Sequence, residues 1–285
     1  MESEHLKIEH KGLTFDVHRS GPARGPWVVL LHGFPTTSYC WKDVIPRVHD
    51  AGLRTLTIDQ RGYSPGARPD AVEDYRLELL VDDVVGVLGH LNIAYSMLVG
   101  HDWGGIVAWH LAAGHPDRFT GLVAVSTGHP SAMAAALAES DDQRRRSSYI
   151  KAFMAEGSEE KLTAREGVLL RRAGVSAEEL TPFLAPATSS VTGEPVNALT
   201  GPLNWYRANF GGDVAETLAC PPVEIPTTML WSDGDAALGR AQAEGSSRFV
   251  YSDYRFSEVR DVDHWVPEKA PEAVASEIAL RSTMY

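Results

Sequence analysis

The sequence predicts an α/β fold: a mostly parallel central sheet with helices on both faces and a helical cap inserted late in the chain. Three observations predict it. Short apolar, β-branched runs bounded by Gly, Pro or Asp alternate with stretches of helical period. The alternation stops after Ser126 and resumes at Thr227. The interval between, rich in Ala, Glu, Arg and Leu, reads as several short helices.

Residues 13–18 suit an antiparallel start, and the runs at 27–31 and 53–58 suit the first parallel strands. Residues 73–91 follow as the clearest helix, with Leu77, Leu80, Val84, Val87 and Leu88 near one face of a 3.6-residue period. Strand 97–99 leads directly into helix 103–113, which the breaker Gly114-His115-Pro116 ends. Strand 122–125 closes the first half. Residues 128–222 form the expected cap, followed by strand 227–231 and a last run at 255–262. The core is thus residues 1–127 and 223–285, and the cap depends on it for packing.

The 285 residues carry 26 Lys and Arg against 38 Asp and Glu, a net charge of −12 that repels nucleic-acid phosphates and anionic membranes. The basic triplet Arg144-Arg145-Arg146 follows Asp141-Asp142 and reads as a solvated helix face. Cys40 and Cys220 match no metal-ligand or redox spacing, so neither a disulfide framework nor a metal is expected. The amino terminus lacks a signal-like apolar stretch and no run has the length of a membrane span, so a cytoplasmic protein is expected. A homodimer is left open.

The chemistry begins at VGHDWGG, residues 99–105. An apolar strand, a turn with Gly100 and Gly104 on either side of Asp102, and an immediate helix describe a sharp elbow that displays its central residue. Asp102 is the candidate nucleophile; capping of the helix is the plainer alternative, but it needs no glycine on both sides. His32-Gly33-Phe34-Pro35 follows the strand WVVLL, where backbone oxyanion donors are expected, namely the N–H groups of Phe34 and Trp103. Asp235 follows one late strand and His264 the next, completing the order nucleophile, acid, base. Asp235 is preferred as the orienting acid because it lies beyond the strand end; spacing alone leaves Asp233 as the alternative.

HGFP, DQRGY at 59–63, GHDWGG, WSDGDAAL and DHWVP together resemble the α/β-hydrolase superfamily, and within it the bacterial epoxide hydrolases. The resemblance spans nearly the whole chain. It implies the α/β-hydrolase fold, no cofactor and a small-molecule epoxide substrate. It also implies two cap tyrosines that donate to the epoxide oxygen: NWYRANF supplies Tyr206, and SSYIKAF supplies Tyr149, with Ser148 where the family often carries Trp. Phe34, Trp103, Phe153, Trp205 and Phe210 are expected to line the substrate pocket.

A carboxylate suits such a reaction because it is already ionised at neutral pH and its alkyl ester has a carbonyl that water can attack. Haloalkane dehalogenases use the same kind of nucleophile and are the alternative within the fold. The phenols favour the epoxide, since a departing alkoxide needs a proton and a halide does not. A ligand-binding protein of the same fold without turnover is the alternative of a different class.

Overall fold

The computed structural model describes residues 3–283. Strands β1 (Glu4–His10) and β2 (Leu13–Ser20) form an antiparallel pair. There follow β3 (Trp27–Leu31), α1 (Ile45–Asp50), β4 (Arg54–Ile58), α2 (Leu77–His90), β5 (Ser96–His101), α3 (Trp103–Gly114) and β6 (Phe119–Val125). The insertion then contributes α4 (Pro130–Glu139), α5 (Asp141–Arg146), α6 (Tyr149–Met154), α7 (Ser158–Arg172), α8 (Ala177–Leu184), the two-residue strands β7 (Ala187–Thr188) and β8 (Pro195–Val196), α9 (Thr200–Phe210) and α10 (Val214–Thr217). The chain closes with β9 (Thr227–Ser232), α11 (Arg240–Gly245), β10 (Tyr254–Val259), α12 (Val266–Lys269) and α13 (Pro271–Ser282).

The main sheet has eight strands in the order β1-β2-β4-β3-β5-β6-β9-β10, with β1, β2 and β4 paired antiparallel and every pair from β4 through β10 parallel. Apolar side chains cover both faces. Val29, Leu31, Leu98 and Leu122 pack with α2 and α3 on one face, whereas Val28, Leu30, Val99 and Val123 pack with α1 and α13 on the other. Strands buried on both faces read as continuous apolar runs, which is why WVVLL and its partners stand out in the sequence.

From β3 the chain winds outward to β4 and then returns to β5 on the opposite side of β3. Crevices at the carboxyl ends of strands open at such a reversal. Phe34 follows β3 and Asp102 follows β5, so both stand at its mouth.

The expected strands are present with ends shifted by up to three residues. The expected helix at 73–91 is divided into a 3-10 turn, Val72–Tyr75, and α2. β1 is an addition: its alternating pattern EHLKIEH lies on an exposed edge and contains no apolar run. The α7 segment is broken at Ala164–Gly167, where Arg165 and Glu166 take positive φ.

Candidate active site

Asp102 sits between β5 and α3 with φ 52° and ψ −122°, a strained backbone for a residue with a side chain. The strand-to-helix junction is tight enough to need its glycines. A Cβ on Gly100 would strike the Gly104 carbonyl, and one on Gly104 would strike the carbonyls of Leu31 and His32. Packing of α3 against the strand thus leaves room for no side chain beside the elbow. The Thr127 hydroxyl donates to the Asp102 backbone carbonyl at 2.9 Å and fixes the turn.

The two carboxylate oxygens of Asp102 have different surroundings. Oδ1 accepts the Phe34 N–H at 2.7 Å, and Oδ2 lies 3.6 Å from His264 Nε2. Burial alone would raise the Asp102 pKa, but His264, together with His101 and the Phe34 N–H, holds it below the usual carboxylate range. Trp103 is the first residue of α3, so its N–H is among the amides a helix leaves without an internal partner.

On the other side of the imidazole, His264 Nδ1 lies 2.8 Å from Asp235 Oδ2. Asp235 is fully buried, and its Oδ1 accepts the N–H groups of Ala237 and Leu238 at 2.8 and 2.9 Å. Asp233 is exposed and accepts the Asp261 N–H instead. Burial would depress the His264 pKa, yet Asp235 and Asp102 outweigh it and carry the ring well above its ordinary value.

His101 orients the same loop. Burial and the neighbouring His264 push its pKa down to about 4, so its ring is neutral at pH 7. Nε2 must carry the proton, because it meets the His264 backbone carbonyl at 2.8 Å and a carbonyl can only accept.

Tyr149 opens α6 and Tyr206 lies within α9, their ring centroids 6.3 Å apart. Both line the cavity wall with Asp102. Burial, and then the Asp102 charge, push both phenols far above their ordinary pKa, so both are neutral donors. Phe34 and Phe153 pack around Tyr206 at 5.4 and 5.2 Å and wall the cavity beside it. Trp103 and Phe210 wall its inner side.

Trp205 is a correction. It lines neither of the spaces that adjoin Asp102; it is fully buried, its indole N–H donates to the Arg61 carbonyl at 2.9 Å, and it packs edge-on against Trp103 and Tyr63. Neighbouring residues on a helix point about 100° apart, so turning Tyr206 and Phe210, four residues apart, toward Asp102 turns Trp205 into the core.

Several contacts that hold the insertion to this centre had no signature in the sequence. Gln143 on α5 is buried, donating to the Ala237 carbonyl and accepting the Gly239 N–H, and Arg146 donates to the Asp235 backbone carbonyl. The triplet of arginines is therefore a solvated face only at Arg144 and Arg145. On α8, Glu179 accepts the Thr37 N–H at 2.9 Å, three residues past Phe34. The Trp265 indole donates to the Ala173 carbonyl at 2.7 Å.

Among the described residues, the one His and acid group close enough for a shared metal is His10, Asp82 and Asp83, none of which lines the spaces beside Asp102. Its acids are already matched by Lys11 and Arg61. No helix among the described residues is long and apolar enough to cross a membrane.

Comparison with known proteins agrees with this fold. A family model described as alpha/beta hydrolase fold matches residues 26–271. The AB hydrolase superfamily protein YfhM of Bacillus subtilis is 32% identical over 283 residues, covering 96% of this chain and 95% of the relative. Epoxide hydrolase 3 of Xenopus tropicalis is 30% identical over 284 residues, covering 95% of this chain and 75% of the relative. The chain belongs to the α/β-hydrolases, in the epoxide hydrolase family. A solved structure described as a novel epoxide hydrolase from metagenomes of hot environments superimposes on this hydrolase with a TM-score of 0.82 and 26% identity, over 100% of this chain and 99% of that one. The shared fold of this hydrolase includes the eight-stranded, mostly parallel sheet.

Proposed function

We propose that the chain hydrolyses small epoxides to vicinal diols through an alkyl ester on Asp102, with residues 128–222 acting as a cap over the site. One observation carries the reading: an ionised, buried carboxylate, flanked by a backbone N–H and an imidazole, shares a cavity wall with two neutral phenols. The names of its relatives support the same class of substrate.

Oδ2 of Asp102 attacks one epoxide carbon while the bond from that carbon to the ring oxygen breaks. Tyr149 and Tyr206 donate hydrogen bonds to the departing oxygen, and one phenol gives it a proton. Formation of the ester removes the Asp102 charge and with it one of the influences that hold His264 protonated, so the imidazolium gives up its proton, which restores the phenolate to a phenol. His264 Nε2 then takes a proton from water, and the hydroxide attacks the ester carbonyl carbon. The resulting oxyanion is met by the N–H groups of Phe34 and Trp103; collapse breaks the bond from the carbonyl carbon to the alkyl oxygen, the proton left on the added hydroxide passes to that oxygen, and the diol leaves with Asp102 again a carboxylate. Asp235 steadies the imidazolium through Nδ1 in this step.

A single turnover of styrene oxide in oxygen-18 water tests the reading. The ester route puts the label into the Asp102 peptide, detected by mass spectrometry, and leaves the first diol unlabelled. Labelled diol with unlabelled Asp102 would mean direct attack by water, and no diol from a panel of epoxides would sink the activity itself.

A further inference from the structure

Asp102, Tyr149 and Tyr206 line two spaces at once, and the two are of very different size. The outer space, about 260 Å³, runs beneath Phe34, Phe153, Leu170, Val175 and Trp265. The inner one, about 30 Å³, is walled by Ile106, Met133, Ile150, Phe210, Leu218 and Leu238. A water needs about 10–15 Å³ of such space, so the inner lobe takes about two groups of that size. Beyond Asp102 and His264, no charged side chain among the described residues lines either lobe.

Given the epoxide-hydrolase reading, we infer that the substrates are neutral epoxides with one bulky apolar arm, seated in the outer lobe, and a second arm no larger than an ethyl group, seated in the inner lobe against Met133. An oxirane held between Asp102 and the two phenols must send its substituents to either side, and only one side has room. A carboxylate or phosphate on either arm would lose its water and find no cation in return except the His264 imidazolium, which Asp102 and Asp235 already hold between them. Met133, reaching in from α4, and Leu238, just beyond the Asp235 turn, set the limit on the smaller arm.

The test separates the shape of the site from its chemistry. Secondary amides of phenylacetic acid carry an N–H for Asp102 and a carbonyl for the tyrosines, and they do not react. Their binding is measured by calorimetry as the N-substituent grows from methyl through ethyl and butyl to benzyl. Methyl and ethyl should bind alike, butyl and benzyl at least about tenfold more weakly, and Met133→Ala should recover the benzyl amide relative to the methyl one. Equal binding of the benzyl and methyl amides to the unaltered protein, or binding of none, overturns the inference without recourse to any variant. The ratio of kcat/KM for trans-stilbene oxide to that for styrene oxide supplies the reactive counterpart. A ratio near one also overturns the inference. An intact amide cut-off with no epoxide turned over leaves the two lobes standing and defeats the catalytic reading instead.

Discussion

Asp235 Oδ2 stands 2.8 Å from His264 Nδ1, while Asp233, two residues earlier, spends its carboxylate on the Asp261 backbone N–H. The two acids therefore differ in what their loss removes. Asp235→Asn leaves an amide beside Nδ1 and frees the imidazole to take the wrong tautomer, and kcat should fall by roughly 10³–10⁴-fold. Asp233→Asn keeps an acceptor for the same N–H and should change kcat by less than about twofold, with stability within about 0.5 kcal/mol. Steady-state rates on one epoxide decide between them; equal losses would contradict the assignment.

His264→Gln separates the two half-reactions. Asp102 loses its nearby cation but keeps the Phe34 N–H, so alkylation slows and still occurs, whereas ester hydrolysis loses its base and slows by roughly 10²–10⁴-fold. Intact-protein mass spectrometry after mixing with styrene oxide should show one adduct per chain. An unmodified chain at long times would argue against the covalent route.

The tyrosines should be partly redundant. Tyr149→Phe or Tyr206→Phe leaves one neutral donor, and each should lower the alkylation rate by roughly 10-fold, with about 10²–10⁴-fold lost in the double variant. Single-turnover rates measure this directly. A double variant that opens epoxides at the parent rate would remove both phenols from the reaction.

Glu179 predicts a dependence of stability on pH. Burial, with Glu268 adding to it against the opposing hydrogen bond from Thr37, raises its pKa to about 8, and Glu268 is itself raised to about 7. Both values exceed that of a glutamate in the unfolded chain, about 4.3, so the fold holds more protons across this interval and its stability falls as pH rises from about 4.3 to about 8. Glu179→Gln keeps an acceptor for the Thr37 N–H and removes the titration. Its melting temperature should match the parent near about pH 4.5 and exceed it above about pH 8, and parallel curves would refute the assignment.

How much of this was legible in the sequence follows the range of the interactions. The elbow around Asp102 is local: seven consecutive residues contain the strand end, both glycines and the helix start. The parallel strands were legible for a similar reason, since burial on both faces writes itself as an apolar run. The expected pocket wall failed at Trp205 because composition does not reveal which side of α9 meets the core, and a shift of one position turns a side chain by about 100°. Gln143 and Glu179 are polar residues on amphipathic helices, and their partners lie 96 and 142 positions away. Nothing nearby in the chain distinguishes them from solvated residues. β7 and β8 are two residues each, too short for any periodic pattern to appear.

The elbow also bears on substitution. Its backbone is held by clearance at Gly100 and Gly104, by the junction of β5 with α3, and by the Thr127 hydroxyl on a main-chain carbonyl. None of these supports touches the carboxylate of Asp102. The frame therefore does not depend on which side chain stands at position 102, whereas a side chain at Gly100 would push α3 away from β5 and one at Gly104 would push it away from the end of β3. On this geometry a change of side chain at the centre of the elbow leaves the scaffold standing, and a change at its glycines does not.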